Sequence, residues 1–326
     1  MESKKLSYIL DRIGPHHASR RLELQTIHSA IHSGPTGLHI SFENLDQVGP
    51  LLKGLLKISG LWTRAVRNSL DYEVVENPVS LPHLPQLFHG FRILHLSDLH
   101  LEGIADQGKA LHETITQLEY DLCVITGDYR LLTYGDYQTT LDCLTPLVKH
   151  IQCHHGIIGI LGNHDFLEMV PGLENLGIQM LLNEAIPIQR GTETIWMAGV
   201  DDAHWYEVAD LPKALQSVPK DNHLVRILLA HSPEIIEEAA QAGIELYLCG
   251  HSHGGQICLP GGRSIIVNSR CAREYTSGKW KHQQMQGYTT RGVGTSLLPV
   301  RLSCRPELVI HRLISDDSPR NISGQP

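Results

Sequence analysis

Five short apolar runs in this chain end in the same kinds of residue, and that repetition limits what the chain can fold into. The segments that close them are Ser97-Asp98-Leu99-His100, Gly127-Asp128, Gly162-Asn163-His164-Asp165, Ala230-His231 and Gly250-His251-Ser252-His253. Each follows a stretch with strand character, at 91–97, 121–126, 156–161, 224–230 and 245–249. Helical patterns over 106–118, 136–150 and 233–241 lie between several of them, which predicts βαβ units with parallel strands. In open α/β sheets, functional groups gather where parallel strands deliver their carboxyl ends. The five loops are therefore expected to meet at one crevice. Beyond His253, short strand-like runs at 256–259, 264–267, 283–291 and 307–313 alternate with Gly/Pro turns. They suggest a largely antiparallel C-terminal portion, and hence two packed sheets.

The residue types in these loops point to metal chemistry. Asp98/His100 and His251/His253 are i,i+2 pairs, and in extended backbone such residues point to the same side. The glycines before Asp128, Asn163 and His251 free the backbone for tight turns out of the strands. Together Asp98, His100, Asp128, Asn163, His231, His251 and His253 offer oxygen and imidazole nitrogen but no thiolate. That donor set suits Mn, Fe, Zn or Ni at a catalytic, partly open site.

The ordered series DxH, GD, GNHD, AH, GHxH resembles the calcineurin-like metallophosphoesterase family. The strings Leu96-Ser97-Asp98-Leu99-His100 and Gly250-His251-Ser252-His253-Gly254-Gly255-Gln256 are similar to the bacterial YkuE/YaeI phosphodiesterase subgroup. Thr290-Arg291-Gly292-Val293-Gly294 and Pro299-Val300-Arg301 extend that similarity, which covers roughly residues 70–315. The resemblance implies a four-layer αββα sandwich, two mixed sheets flanked by helices. It implies two divalent ions, manganese favoured, with Asp98, His100 and His253 at the first and Asn163, His231 and His251 at the second. Asp128 would bridge them, and a water activated between the ions would attack phosphorus in line with the leaving group. His164 would serve the leaving oxygen as proton donor or charge stabiliser, and Asp165 would orient His164 by a hydrogen bond. Arg130 and Arg291 are candidates to bind substrate phosphate.

Such a chain is expected to hydrolyse a phosphodiester or pyrophosphate bond. A lipid-linked nucleotide sugar such as UDP-2,3-diacylglucosamine is one expected substrate, and a soluble nucleotide phosphodiester or monoester is the alternative. A non-catalytic scaffold of the same fold is disfavoured because no ligand position is missing. The net charge of -8 argues against a nucleic-acid partner. The seven cysteines are scattered, several inside apolar runs, and read as reduced thiols of a reducing compartment. With no secretory leader and no long apolar segment, a cytoplasmic protein is expected.

Residues 1–90 read as an N-terminal extension, 91–315 as the metallophosphoesterase domain and 316–326 as a polar tail. Residues 1–45 are polar and His-rich, with few long apolar patterns. Over 46–70 the spacing predicts one basic amphipathic helix, with Leu51, Leu55, Ile58, Trp62 and Val66 on one face. Lys53, Lys57, Arg64 and Arg67 lie on the other. That helix is expected to dock on the domain or on the cytoplasmic face of an anionic membrane. Prolines at 78, 82 and 85 suggest an extended linker.

Overall fold

The computed structural model describes residues 3–33, 48–221, 223–264 and 267–315. The tail at 316–326 and residues 46–47 of the expected helix lie outside them. Four helices come first: α1 (Ser3–Ile13), α2 (Pro15–Ser33), α3 (Val48–Ile58) and α4 (Trp62–Asn68). There follow β1 (Glu73–Leu81), β2 (Arg92–Leu96), α5 (Lys109–Ile115), β3 (Leu122–Ile125), α6 (Gln138–His150) and β4 (Ile157–Gly159). Next are α7 (Val170–Asn175), β5 (Ile178–Met180), β6 (Glu184–Arg190), β7 (Glu193–Gly199), α8 (Leu211–Ala214) and β8 (Arg226–Leu229). The described residues end with α9 (Ile236–Gln241), β9 (Leu246–Cys249), β10 (Gly278–His282), β11 (Met285–Thr289) and β12 (Glu307–Ser315).

The strands form two six-stranded sheets, ordered β1-β12-β2-β3-β4-β5 and β10-β11-β9-β8-β7-β6. In the first, β2, β3, β4 and β5 run parallel and β12 is antiparallel to β2. In the second, β7, β8, β9 and β11 run parallel, with β6 and β10 antiparallel at the two edges. Apolar runs alternate between two faces. Thus Ile93, Leu122, Val124 and Ile158 of the first sheet meet Met197, Ile227, Leu229 and Leu248 of the second in one core. Leu94, Cys123, Ile125 and Ile157 face the opposite way, under α5, α6 and α7. Leu228 and Tyr247 face α8 and α9. This is the expected four-layer αββα sandwich of mixed sheets.

The edges depart from the expectations. The supposed linker continues strand β1, which pairs parallel to β12 from Glu73↔Glu307 to Leu81↔Ser315. Pro78 fits there because β1 is an edge strand, where a missing N–H costs no ladder bond. The C-terminal strands build no separate antiparallel sheet: β10 and β11 pair antiparallel but extend the second sheet, and β12 enters the first. The helix expected over 46–70 is two helices. Gly60, at φ +73, ends α3, with Gly60 N–H on Lys57 O and Leu61 N–H on Leu56 O. The break splits the predicted apolar face. Leu56 and Ala65 bury against Val300, with Trp62 and Val66 beside them, whereas Leu51, Leu55 and Ile58 stay exposed. Residues 3–33 of the polar first segment are helical and packed: Ile9, Ile13 and Ala18 join the core beneath the first sheet.

Phe88, fully buried in the intersheet core beside Phe91, ties the segment after β1 to the sandwich. Phe88→Ala is expected to cost about 3–5 kcal/mol in urea denaturation, the usual loss for a buried phenyl group. An unchanged midpoint would mean that this segment is a linker after all.

Candidate metal centre

All the polar loops leave carboxyl ends of parallel strands. Asp98 and His100 follow β2, Asp128 follows β3, Asn163 and His164 follow β4, His231 follows β8, and His251 and His253 follow β9. Because β2, β3 and β4 adjoin in one sheet and β8 and β9 in the other, their ends meet across the sandwich. The i,i+2 pairs converge, but not through extended backbone. Asp98 (φ 50), His100 (φ 40), Asp128 (φ 56), His251 (φ 71) and His253 (φ 50) are all left-handed, a costly choice for non-glycine residues. Their loops brace one another: Asp98 N–H donates to Gly127 O at 3.0 Å, and His100 N–H to Asp128 O at 3.1 Å.

The glycines act in two ways. Gly127 needs its φ of +89, whereas Gly162 and Gly250 are required by close approach. A Cβ on Gly162 would collide with the Asp128 carboxylate, and one on Gly250 with Ser97 and Asp98.

The ligand atoms form three overlapping groups: Asp98, His100 and His253; His100, Asp128 and His164; Asp128, His231 and His251, each within 4.8 Å. His100 Nε2 lies 3.1 Å from His253 Nε2, and His253 Nε2 lies 3.6 Å from Asp98 Oδ1. On the other side, Asn163 Oδ1 lies 2.9 Å from both His231 Nε2 and His251 Nδ1. Asp128 Oδ2 stands between them, 3.3 Å from His231 Nε2 and 3.8 Å from His100 Nε2. Its other oxygen accepts the His164 N–H at 2.9 Å.

These residues fit a cation. His100 donates Nδ1–H to Arg130 O, and His231 donates Nδ1–H to Thr126 O. In the neutral rings both Nε2 atoms are then bare lone pairs facing other acceptors. Burial pushes His100 down to about 3 and holds His251 and His253 well below the usual histidine range, so these rings are neutral. Burial also lifts the Asp98 carboxyl to about 6. Burial disfavours a charge on His231, yet the Asp128 carboxylate outweighs it and raises that ring to about 10. The pocket thus asks for positive charge at its centre, from a proton or from metal.

His164 Nδ1 donates to Leu131 O at 2.7 Å, leaving Nε2 3.9 Å from Asp128 Oδ2. Asp165 does not orient that ring, contrary to expectation. Its carboxylate accepts backbone N–H groups from Asp128, Gly162, Tyr129 and Arg130 at 2.8, 2.8, 2.9 and 3.3 Å. It therefore fastens the Asp128 turn to the Asn163 turn.

The expected arginines are committed elsewhere. Arg130 is buried, lies 4.0 Å over the Phe166 ring and donates to the carbonyls of Tyr134, Gly135 and Asp136. Arg291 pairs with buried Glu307 and with Glu73, which ties its loop to β12 and β1. Charge alone could not reveal these contacts. Sequence reasoning also missed His204. It is buried, its ring centroid 4.1 Å from that of His251 and its Nδ1 2.6 Å from Glu234. It missed Arg21 as well, because a lone arginine in a polar segment carries no signal.

Comparison with known proteins agrees with this geometry. The family model described as calcineurin-like phosphoesterase matches residues 91–255. The chain is 27% identical over 267 residues to the uncharacterized metallophosphoesterase YkoQ of Bacillus subtilis, covering 77% of this chain and 93% of that protein. It is 28% identical to the uncharacterized metallophosphoesterase YkuE of the same organism (74% and 86% covered). It is 31% identical to the phosphodiesterase YaeI of Escherichia coli (69% and 82% covered). The chain belongs to the calcineurin-like metallophosphoesterase family. It is a metal-dependent hydrolase of phosphoric esters.

Gly250→Ala would push Ser97 and Asp98 out of the cluster while leaving the sheets intact. Bound metal measured by elemental analysis is expected to fall by at least about one ion per chain, with an unchanged far-UV circular dichroism spectrum. Full metal content in this variant would show that the close approach at Gly250 is dispensable.

Proposed function

We propose that the protein is a binuclear phosphodiesterase whose substrate is presented at an anionic membrane surface. The observation that carries the binuclear reading is Asp128 Oδ2, which faces His100 on one side and His231 on the other. Asp98, His100 and His253 would hold one divalent ion, Asn163, His231 and His251 the other, and Asp128 both. Such ions supply an acidified water and neutralise charge growing on the phosphoryl oxygens. The donor set admits Mn, Fe, Zn or Ni, and manganese is our choice. His164 acts at the leaving group. Its Nδ1–H is engaged by Leu131 O, so the transferred proton must sit on Nε2 of the imidazolium and pass to the leaving oxygen.

Bis-p-nitrophenyl phosphate hydrolysis with Mn²⁺ tests these roles. Asp128→Ala is expected to abolish turnover. His164→Ala should lower kcat about 10²- to 10⁴-fold, with the greater loss on substrates whose leaving group is a poorly acidic alcohol. Wild-type activity in Asp128→Ala would contradict the mechanism.

The membrane reading rests on α3 and α4. Leu51, Leu55 and Ile58 are 65%, 56% and 87% exposed on one side of α3. Lys53, Lys57, Arg64 and Arg67 are exposed on the same two helices. Residues 48–68 carry no Asp or Glu, although the whole chain has a net charge of -8. An exposed apolar face on a helix pair whose only charges are cationic complements anionic lipid. No described helix is long and apolar enough to cross a membrane. The helices also adjoin the site: Ala65 O accepts Arg301 N–H, and the Arg301 guanidinium donates to His253 O. A lipid-linked diphosphate such as UDP-2,3-diacylglucosamine is the substrate class we favour, with soluble nucleotides the alternative. Sedimentation with phosphatidylglycerol vesicles should fall at least roughly tenfold when Leu51, Leu55 and Ile58 become Ser. Equal sedimentation of wild type and variant would exclude membrane docking.

A further inference from the structure

The N-terminal helix α2 reaches the turn that carries Asn163 and His164. Three residues spaced four apart on one face make the contact. His17 Nε2 lies 2.8 Å from Asp201 Oδ2. Arg21 is fully buried, and its Nη1 donates to Asp201 Oδ1 at 2.7 Å. Arg21 Nη2 donates to Gly162 O at 3.2 Å and to Asp165 O at 3.0 Å, the two carbonyls that bracket Asn163 and His164. Its guanidinium also lies 3.9 Å above the Tyr206 ring. Gln25 continues the line, accepting Leu167 N–H at 3.0 Å and donating to Glu168 at 2.6 Å.

This is an expensive arrangement for mere helix docking. A guanidinium removed from water is tolerated only where charge and acceptors replace its hydration, and a methyl-lined contact would join the helix to these loops more simply. What the guanidinium adds is direction. Its planar fork spans one carboxylate and two carbonyls at once, which a lysine ammonium cannot match. The carbonyls it holds belong to the turn whose neighbouring groups must be placed most exactly. Asn163 Oδ1 meets His231 and His251, and His164 Nε2 points toward Asp128. Asp165 fastens the same turn from within, through Gly162 N–H and the Asp128 turn. Arg21 fastens it from behind.

We infer that Arg21 is a positioning residue for the phosphoesterase reaction and that α2 is thereby part of the active site. The inference rests on the roles proposed above for Asn163 and His164. Without Arg21, the 162–165 turn drifts and carries both side chains out of register, although no ligand is lost. A misplacement of about 1 Å is enough to cost roughly a hundredfold in rate.

The test compares Arg21→Ala, Arg21→Lys and Arg12→Ala in the full chain, assayed with Mn²⁺ and bis-p-nitrophenyl phosphate. Arg12 anchors the neighbouring helix α1 to Glu174 and Glu184, away from the turn. It controls for loosening of the N-terminal segment as a whole. Arg21→Ala is expected to lower kcat roughly 10- to 100-fold with KM changed less than about threefold. Arg21→Lys should fall between it and wild type, and added guanidinium should partly restore Arg21→Ala. Arg12→Ala should lower the melting temperature while keeping kcat within about twofold of wild type. Rates that fall only in proportion to the unfolded fraction, equally in the Arg12 and Arg21 variants, would overturn the inference. Asp128→Ala, run beside them, separates the readings. Activity there would sink the metal site itself, whereas an inactive Asp128→Ala beside a fully active Arg21→Ala would sink only the role of Arg21.

Discussion

Everything at the carboxyl ends of the two sheets depends on crowding hydrogen-bond acceptors into a pocket that is nearly dry. Asp98, His100, Asp128, Asn163 and His231 are essentially without solvent exposure, and apart from the proton that His231 can carry their facing atoms are lone pairs. Such a cluster is unfavourable alone, because buried acceptors without donors repel and lose hydration. The surrounding structure compels the approach. Asp165 takes four backbone N–H groups from two turns, and five ligand residues sit in left-handed backbone. Strain of this kind persists only where neighbouring contacts over-determine it. A pocket organised this way is prepared for cations before any arrive, which is how a catalytic metal site avoids reorganising during turnover.

Much of the site was legible in the chain because its encoding is local. A ligand at a strand end needs a short apolar run, a glycine where loops touch and a donor of the right chemistry, all within a few residues. Hence the ligand positions from Asp98 to His253 could be read, and the structure brings those side chains together. The parallel strands β2, β3, β4, β8 and β9 were legible for the same reason, as continuous apolar runs.

What escaped the sequence is decided at long range. Strand β1 pairs with β12 across more than two hundred residues, and nothing within 73–81 announces that partner. The uses of Arg130, Arg291 and Asp165 depend on which carbonyls or N–H groups happen to lie nearby, so the sequence suggested substrate binding for the arginines and a hold on His164 for Asp165 where the structure has bracing. The segment 1–33 looked polar because one of its buried anchors is an arginine and another a glutamine, which erases the hydrophobic period. The break at Gly60 shows a smaller effect of the same kind. A regular apolar spacing continued across a glycine whose left-handed conformation ends the helix.

Two pieces of the chain lie before the residues that the family model matches. The pair α3 and α4 lies against the loop that follows His253, and α2 lies against the turn that holds Asn163. Both connect outer parts of the molecule to metal-ligand loops, and both give meaning to segments that composition alone leaves bland.

The central claim is that Asp128 is shared by two ions held within the described ligands. Anomalous diffraction at the manganese edge, from crystals grown with Mn²⁺, tests it most directly. The account predicts two peaks about 3.5–4 Å apart on either side of the Asp128 carboxylate, one beside His100 and His253 and the other beside His231 and His251. A single peak, or peaks away from Asp128, would contradict it.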